Sequence, residues 1–524
     1  MARKQRALAT CDAETDPFSE ELRDNDQLPQ PFLWGYFDGS DFHEFDTTDE
    51  FVEFIGKQYV RCFAHNGGKF DFHYLLEYVD AQDVKIINGR IAEFRIGDAI
   101  LADSYLVLPV PLAAHAKDDI EYWKFGADVR HRYMAEISAY LENDCRYLHD
   151  FILRFKKEYP LKATLASSSM AVWKTQFKGR VDKTNKRFYE RFNPYYFGGR
   201  CEAFKKGVFE GDFAVIDINS AYPHAMTFDH PAGDKYDTSE TLPNSESQIR
   251  RSFVSGTCYS RGALPVRSEK GGVSFPVGKI EFHCTGHELL AAMETKTISE
   301  LALREVRTFK ETVNYTPYVK HFYAKKLEAE RIGDKTARLF AKLFMNSLYG
   351  KNAANPEKYK EWWIDEYGVG MSDDWDSGPI FGSKQMFSKP LDEEKHRYYN
   401  LATAASVTGM VRAMLWKSLC NVETPYYCDT DSIIYEGTHD LILGDELGQW
   451  AAEGTGDELS IAGKKLYALF DDKKEVKKAC KGVRLEASDI KKVAKGEVVN
   501  YHSIVPSFSL SRKSGYISRN ITLT

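Results

Sequence analysis

Residues 426–435 read YYCDTDSIIY. Apolar, aromatic and β-branched residues on both sides predict two short strands, and the Asp-Thr-Asp between them predicts a tight turn. Asp429 and Asp431 are two residues apart, so beside a strand they point the same way. Two carboxylates on one face repel unless a cation lies between them. Oxygen ligands suit Mg²⁺, and paired cations about 3.5–4 Å apart are the arrangement that activates one oxygen and stabilises a leaving one. Alone, the stretch fits an acidic hairpin turn equally well, so the rest of the chain has to decide.

Three further regions carry the same chemistry. In FAVIDINSAYPHAM (213–226) an apolar strand delivers Asp217 at its end, although one such acid also fits a helix cap. In RLFAKLFMNSLYGK (338–351), Arg338, Lys342, Asn346 and Tyr349 fall on one helical stripe, with Leu339, Phe340, Leu343 and Phe344 on the apolar side. Cations in line can hold a chain of phosphates and a tyrosine can stack on a base, while a plain solvated face remains the alternative. Near the N-terminus, Asp12 and Glu14 in ATCDAET share a strand face. Asp71 in AHNGGKFDFHYLL opens a predicted helix, and Asp144 in AYLENDCRYL follows Tyr140 by one helical turn. Four acids from separate segments suit a second phosphodiester site, yet each alone fits a cap or a core position.

The 524 residues are too many for one core and predict two to four domains. No apolar run reaches about 18 residues, and the basic start MARKQRALATCDAETDPF lacks the long apolar segment of a secretory signal. Nine scattered cysteines without a CxxC pair point to reduced thiols rather than to disulfides or a zinc knuckle. A net charge of −7 argues at first against nucleic acid. The charge is uneven, however: residues 471–524 hold 12 Lys/Arg against 6 Asp/Glu, and 304–351 are also basic. Local patches, not net charge, decide phosphate binding. Residues 1–165 alternate strand and helix patterns and read as an α/β domain. The pattern over FDFHYLLEYV predicts a helix, ATLASSSM (163–170) reads as a polar stretch, and 319–350 as two helices broken at IGD.

Together these stretches resemble a family B DNA polymerase of the protein-primed branch found in phages with linear genomes. DAE (12–14), NGGKFD (66–71) and YLEND (140–144) resemble the three motifs of the 3′–5′ exonuclease. DINSAYP, KLFMNSLYG and YCDTDS resemble polymerase motifs A, B and C, in that order. YFGG (Tyr196, Gly198, Gly199) is similar to the element that couples synthesis to editing. TGMVR (Thr408, Arg412) and KLY (Lys465, Tyr467) resemble primer-template contacts. The likeness covers most of the chain; Ala221, where the family usually has Leu, and Tyr105, where Leu is common, depart from it.

The resemblance implies an α/β multidomain fold, with a ribonuclease-H-like exonuclease domain and a right-hand polymerase carrying two insertions. The implied division is exonuclease 1–165, first palm segment with the YxGG linker 166–228, and terminal-protein-binding insertion 229–315. Fingers 316–355, a strand-displacement and processivity insertion 356–394, second palm segment 395–465 and thumb 466–524 complete it. For the polymerase site it implies Asp217 and Asp429 as main metal ligands, Asp431 as the secondary acid, and the carbonyl of Ile218 in one metal shell. Lys342, Arg338 and Lys326 would meet the triphosphate, Asn346 and Tyr349 the nascent pair, and Tyr222 the deoxyribose. For the exonuclease it implies Asp12, Glu14, Asp71 and Asp144 as metal ligands, and Tyr140 and Lys117 as catalytic helpers. His65, Asn66, Phe70, Ser104 and Tyr122 would contact the strand. The expected cofactor is Mg²⁺, two per site, with Mn²⁺ as a substitute. The expected partners are primer-template DNA, dNTPs, a terminal protein primer and a single-stranded-DNA-binding protein, with no membrane. A monomer in the cytoplasm of a bacterial host is implied. The alternative is a family B polymerase that extends only nucleic-acid primers.

Overall fold

A seven-stranded sheet organises the N-terminal region of the computed structural model, which describes residues 6–269 and 271–524. The first five residues of the basic start lie outside the described ones. Val60–Ala64 runs at the sheet centre, parallel to Ala7–Thr15 on one side and to Ala99–Asp103 on the other. Antiparallel Pro31–Phe37 and Arg90–Ile96 extend it on the two sides. Period-two alternation buries Ala9, Cys11 and Ala13 while aiming Asp12 and Glu14 to the other face. Helix Met134–Glu158 lies across that acidic side, packed on Ala7–Thr15 and Pro31–Phe37. The expected helix over 70–79 is instead a run of 3₁₀ turns, Asp71–Tyr74 and Leu76–Tyr78. Its apolar spacing is helical, but the tight Gly67–Lys69 turn ahead of it forces the chain to bury Asp71 at once. Within the polar stretch 163–170, Thr164 caps helix Leu165–Gln176, so most of that stretch is helical.

A second seven-stranded sheet is wholly antiparallel. Its order is Cys201–Ala203, Val422–Asp429, Ser432–His439, Gly207–Ile218, Trp450–Gly463, Leu466–Asp471, Lys474–Cys480. It runs straight through the expected palm–thumb boundary at 465, because Leu466–Asp471 and Lys474–Cys480 continue its ladder. The 229–315 region forms its own four-stranded sheet with helix Gly286–Glu294. The IGD break stands between helices Thr316–Ile332 and Lys335–Ser347, ended and restarted by Gly333 in the left-handed region and the Asp334 cap.

Residues 360–390 form a three-stranded antiparallel sheet with Lys384–Pro390 in the middle, whose Lys360–Glu366 strand pairs on its other side with Gln82–Asp83 of the N-terminal domain. Ile364 and Met386 are fully buried in that domain's core. A separate core joins Phe151 and Phe155 of the long N-terminal helix to Phe340 and Phe344, and these to Ile216 and Val407. Tyr159 and Phe344 rings lie 4.2 Å apart, and Arg154 pairs with Asp334 at 2.8 Å. The two sheets are therefore held in one continuous body. Helix Leu401–Leu419 runs through it, buried along nearly its whole length.

Candidate active sites

The 426–435 hairpin is built as its pattern predicts: Val422–Asp429 and Ser432–His439 pair around Thr430, which takes a φ of +63°. Antiparallel pairing of Ser432 with Asp217 brings the end of Gly207–Ile218 beside the turn. The N–H of Ile218 donates to the carbonyl of Asp431 at 2.8 Å, which locks the two acid-bearing segments together. Burial pushes Asp217 up to about 7, and the largest charge acting on it after burial is Asp431. Asp431 itself is pushed up to about 6 by burial and then by Asp429.

Of the two turn acids, the one that acts on Asp217 is Asp431. Asp431 is the partner of Asp217. Asp429 is instead held by the ammonium of Lys465 at 2.5 Å, from a residue whose φ of +57° turns it back over the hairpin. Sequence reasoning missed one further carboxylate. Glu453 raises both Asp217 and Asp431, and pairs with Lys477. A register shift opposite Val215/Ile216 places it there. Such a bulge leaves no mark in the sequence.

Across from the acids, Arg338, Lys342 and Asn346 form an exposed stripe on helix Lys335–Ser347, whose other face buries Phe340 and Phe344. Lys342 lowers Asp217, so the stripe acts on the acid cluster. Arg338 is paired with Glu330 at 2.5 Å, and Asn346 donates to the Lys342 carbonyl at 2.9 Å. Lys326 lies on the neighbouring helix, 5.7 Å from the Tyr323 ring centroid. Tyr222 and Tyr349 stack with centroids 4.8 Å apart and 7° between planes, which makes a flat aromatic floor beside Asp431.

Other expected strand contacts are placed differently. Thr408 and Arg412 are buried on helix Leu401–Leu419, so neither is presented to a DNA strand. Arg412 holds Glu288 and the carbonyls of Phe197 and Gly198 instead. Tyr467 is buried against Tyr427. Tyr196 is half-buried, Gly198 exposed, and Gly199 packs on Thr430.

In the N-terminal domain the structure gathers Asp12, Glu14, Asp71 and Asp144 on one face. Burial, and then Asp71, pushes Asp12 well up; burial, and then Asp144, pushes Glu14 to about 8. Burial takes Asp71 to about 7, and burial also raises Asp144 against the pull of Lys117, whose ammonium reaches Asp144 at 3.2 Å. Lys117 also lies 5.2 Å from the ring centroid of Tyr140.

His65 is fixed between Ser104 Oγ and the Val110 carbonyl at 2.9 and 2.8 Å. Asn66, in the left-handed region, is pinned by Arg90 at 2.7 Å and by Asp103 through its own N–H at 3.1 Å. Neither Arg90 nor Asp103 was singled out from sequence as a partner of Asn66. Tyr122 is 58% exposed. Phe70 packs on Phe508 from the C-terminal segment, centroids 5.2 Å apart, and on Phe18 and Tyr74.

Both clusters suit divalent cations by their donor chemistry. Glu14 Oε1 and Asp144 Oδ1 are buried without a hydrogen-bond partner, and four carboxylates raised by burial and mutual repulsion are what a cation relieves. Among the described residues no group of three or more His, Cys, Asp or Glu side chains is already arranged to hold a metal ion.

The geometry can be compared with known proteins. The family described as DNA polymerase type B, organellar and viral, matches residues 121–440. The chain is 37% identical to the DNA-directed DNA polymerase of Enterobacteria phage PRD1, over 98% of its own length and 97% of the relative. It is 24% identical to the DNA polymerase of Bacillus phage phi29, over 94% of its length and 91% of that protein. Its fold superposes on phi29 DNA polymerase with a TM-score of 0.76 at 18% identity, covering 99% of this chain and 100% of that one. Against phi29 DNA polymerase complexed with primer-template DNA and incoming nucleotide substrates, the TM-score is 0.72 at 19% identity, covering 100% of both chains. The fold is therefore a ribonuclease-H-like domain joined to a right-hand palm, fingers and thumb. The chain belongs to the organellar and viral type B DNA polymerases, and it is a DNA-directed DNA polymerase.

Proposed function

We propose that this polymerase extends DNA at Asp217 and Asp431, edits at Asp12, Glu14, Asp71 and Asp144, and starts synthesis on a terminal protein. The observation that carries the first centre is the half-buried Asp217–Asp431 pair, brought together by the pairing of Asp217 with Ser432 and the Ile218 N–H to Asp431 carbonyl bond, and facing a stripe whose Lys342 acts on Asp217. Asp217, Asp431 and the Ile218 carbonyl would hold Mg²⁺, with Asp429 and Glu453 at hand. The cations supply charge stabilisation for an in-line displacement of pyrophosphate by the primer 3′-hydroxyl. Lys342 and Arg338 neutralise the triphosphate, with Lys326 behind them. Asn346 and Tyr349 line the new pair. Tyr222, stacked flat on Tyr349, closes the space a 2′-hydroxyl needs.

In the N-terminal domain, the unpartnered oxygens of Glu14 and Asp144 are the donors a cation pair would use. Tyr140, kept a neutral phenol by burial, orients the attacking water, and Lys117 offsets charge at Asp144. His65, Asn66 and Tyr122 grip a frayed 3′ end, with Ser104, buried, holding the His65 ring from behind; Phe70 joins them when Phe508 moves aside. The phage relatives support a replicating role in the cytoplasm of a bacterial host, acting on primer-template DNA and dNTPs. The 229–315 sheet is the surface for the terminal protein, and the 356–394 sheet separates strands ahead of synthesis, with a single-stranded-DNA-binding protein covering the product.

The centre is tested by Asp217→Asn, which should abolish primer extension in Mg²⁺ or Mn²⁺; extension at the wild-type rate defeats the assignment. Protein priming is tested by transfer of labelled dNMP to the protein encoded beside this chain. Covalent label supports it, and label found only on oligonucleotide primers returns the reading to nucleic-acid priming.

A further inference from the structure

Helix Gly286–Glu294, in the 229–315 region, opens with a capping box. Glu288 Oε2 accepts from the Thr285 N–H at 3.0 Å and from its hydroxyl at 2.9 Å. A box needs only that one oxygen, and an uncharged Gln serves it as well. Glu288 is nevertheless 3% exposed and spends its second oxygen on another element: Oε1 accepts from Arg412 Nε at 2.7 Å. Burying such a pair is costly, and replacing both partners by apolar groups is often neutral or stabilising. Helix capping alone therefore leaves this contact unexplained.

The rest of Arg412 shows where it leads. Its Nη1 donates to the carbonyls of Phe197 and Gly198 at 2.6 and 2.8 Å, both within YFGG. The next residue, Gly199, lies so close to Thr430 that a Cβ there would come 2.7 Å from its hydroxyl oxygen. The carbonyl of Arg200 accepts from the Thr430 N–H at 2.6 Å, and Cys201 pairs opposite Asp429. Gly409, one turn before Arg412, sits against Thr285, where a Cβ would come 2.3 Å from Oγ1; the two helices meet only because it is glycine.

We propose that Glu288 is a positioning residue of the polymerase centre: it fixes Arg412, Arg412 fixes the YFGG loop, and the loop fixes the Thr430 turn that carries Asp429 and Asp431. The relay rests on the centre placed at Asp217 and Asp431, and ties the 229–315 region to that centre through one buried charge pair. A mere glue between helices is the competing account, and it predicts loss of stability alone.

The test uses the full chain. Glu288→Gln puts an amide donor against either Arg412 or the Thr285 N–H, so the loop loses its anchor. Expected is a fall in kcat for primer extension of roughly tenfold to 100-fold, the cost of a misplacement on the order of 1 Å, with the KM for dNTP within about twofold. Single-strand degradation should be unchanged, reporting a folded protein. Glu288→Asp, which keeps the charge, should recover part of the kcat. Unchanged kcat with a lowered melting temperature overturns the relay. If Glu288→Gln does not fold, hydrogen exchange of the 196–201 amides in Glu288→Asp decides: faster exchange supports it and wild-type exchange overturns it. An Asp217→Asn protein that still extends primers would defeat the centre itself, a result distinct from either.

Discussion

At the scale of single residues, the turn acids are unequal because their neighbours are. Asp431 lies half-buried beside Asp217, whereas Asp429 is neutralised by Lys465. Asp431→Asn should therefore cost at least about 10³-fold in kcat, the scale of losing one preorganised charge-stabilising group. Asp429→Asn should cost less, because it frees Lys465 without uncovering Asp217; primer-extension kinetics at saturating dNTP compare the two. The same carboxylates make stability depend on pH. Glu14 rises from 4.5 to about 8, Asp71 and Asp217 from 3.8 to about 7, and Asp431 from 3.8 to about 6. In each case the folded state holds its proton more tightly than the unfolded one. Their contribution is thus fully present below about pH 4 and lost as pH rises through 6 to 8. With chelator present, the melting temperature should fall between pH 5 and 8, after allowing for groups that titrate outside this set. Mg²⁺ should restore more of it at pH 8 than at pH 5, and scanning fluorimetry with and without Mg²⁺ reads both slopes.

At the scale of elements, the 356–394 sheet is as much a part of the N-terminal domain as of the rest of the chain. Ile364 and Met386 are buried in that domain's core, and Ile364 pairs with Gln82. Either truncated to Ala should destabilise the protein by about 2–5 kcal/mol, the usual cost of emptying such a site, seen as a lower denaturant midpoint. Little of this was legible beforehand. The hairpin, the two helices around IGD and the exposed Arg338–Lys342–Asn346 stripe follow from local periodicity, and so could be read from the chain. The pairing of residues 82–83 with 363–364 depends on contacts far apart in sequence. So does the burial of Arg412, whose acid partner lies 124 residues away. Its motif was recognisable, but its direction was not. The 70–79 turns were misread as a helix because apolar spacing is silent about the backbone. At Gly68 a Cβ would come 2.0 Å from the Ile91 carbonyl oxygen, and that crowding, not the spacing, sets the path.

At the scale of the whole molecule, the acid clusters stand on two sheets with different topologies, one mixed and one antiparallel. Neither sheet lends a strand to the other, so each cluster keeps its own backbone support. Their cores are nevertheless joined by Phe151, Phe155, Phe340 and Phe344, which fixes the spacing of the two clusters. This arrangement predicts that the chemistry is separable while the traffic is not. Asp12→Ala with Asp71→Ala should abolish degradation of single strands and leave extension of a matched primer within about twofold, because no member of the palm cluster loses a contact. The converse change, Asp217→Asn, should leave degradation intact. Truncating Phe155 to Ala in the shared core acts on neither cluster directly. It should slow both activities on a mismatched primer more than either alone on its own substrate, since the two sites then lose their fixed spacing. Loss of both activities in the Asp12→Ala, Asp71→Ala protein, with its melting temperature unchanged, would show that one set of carboxylates serves both reactions and that the two-centre reading is wrong.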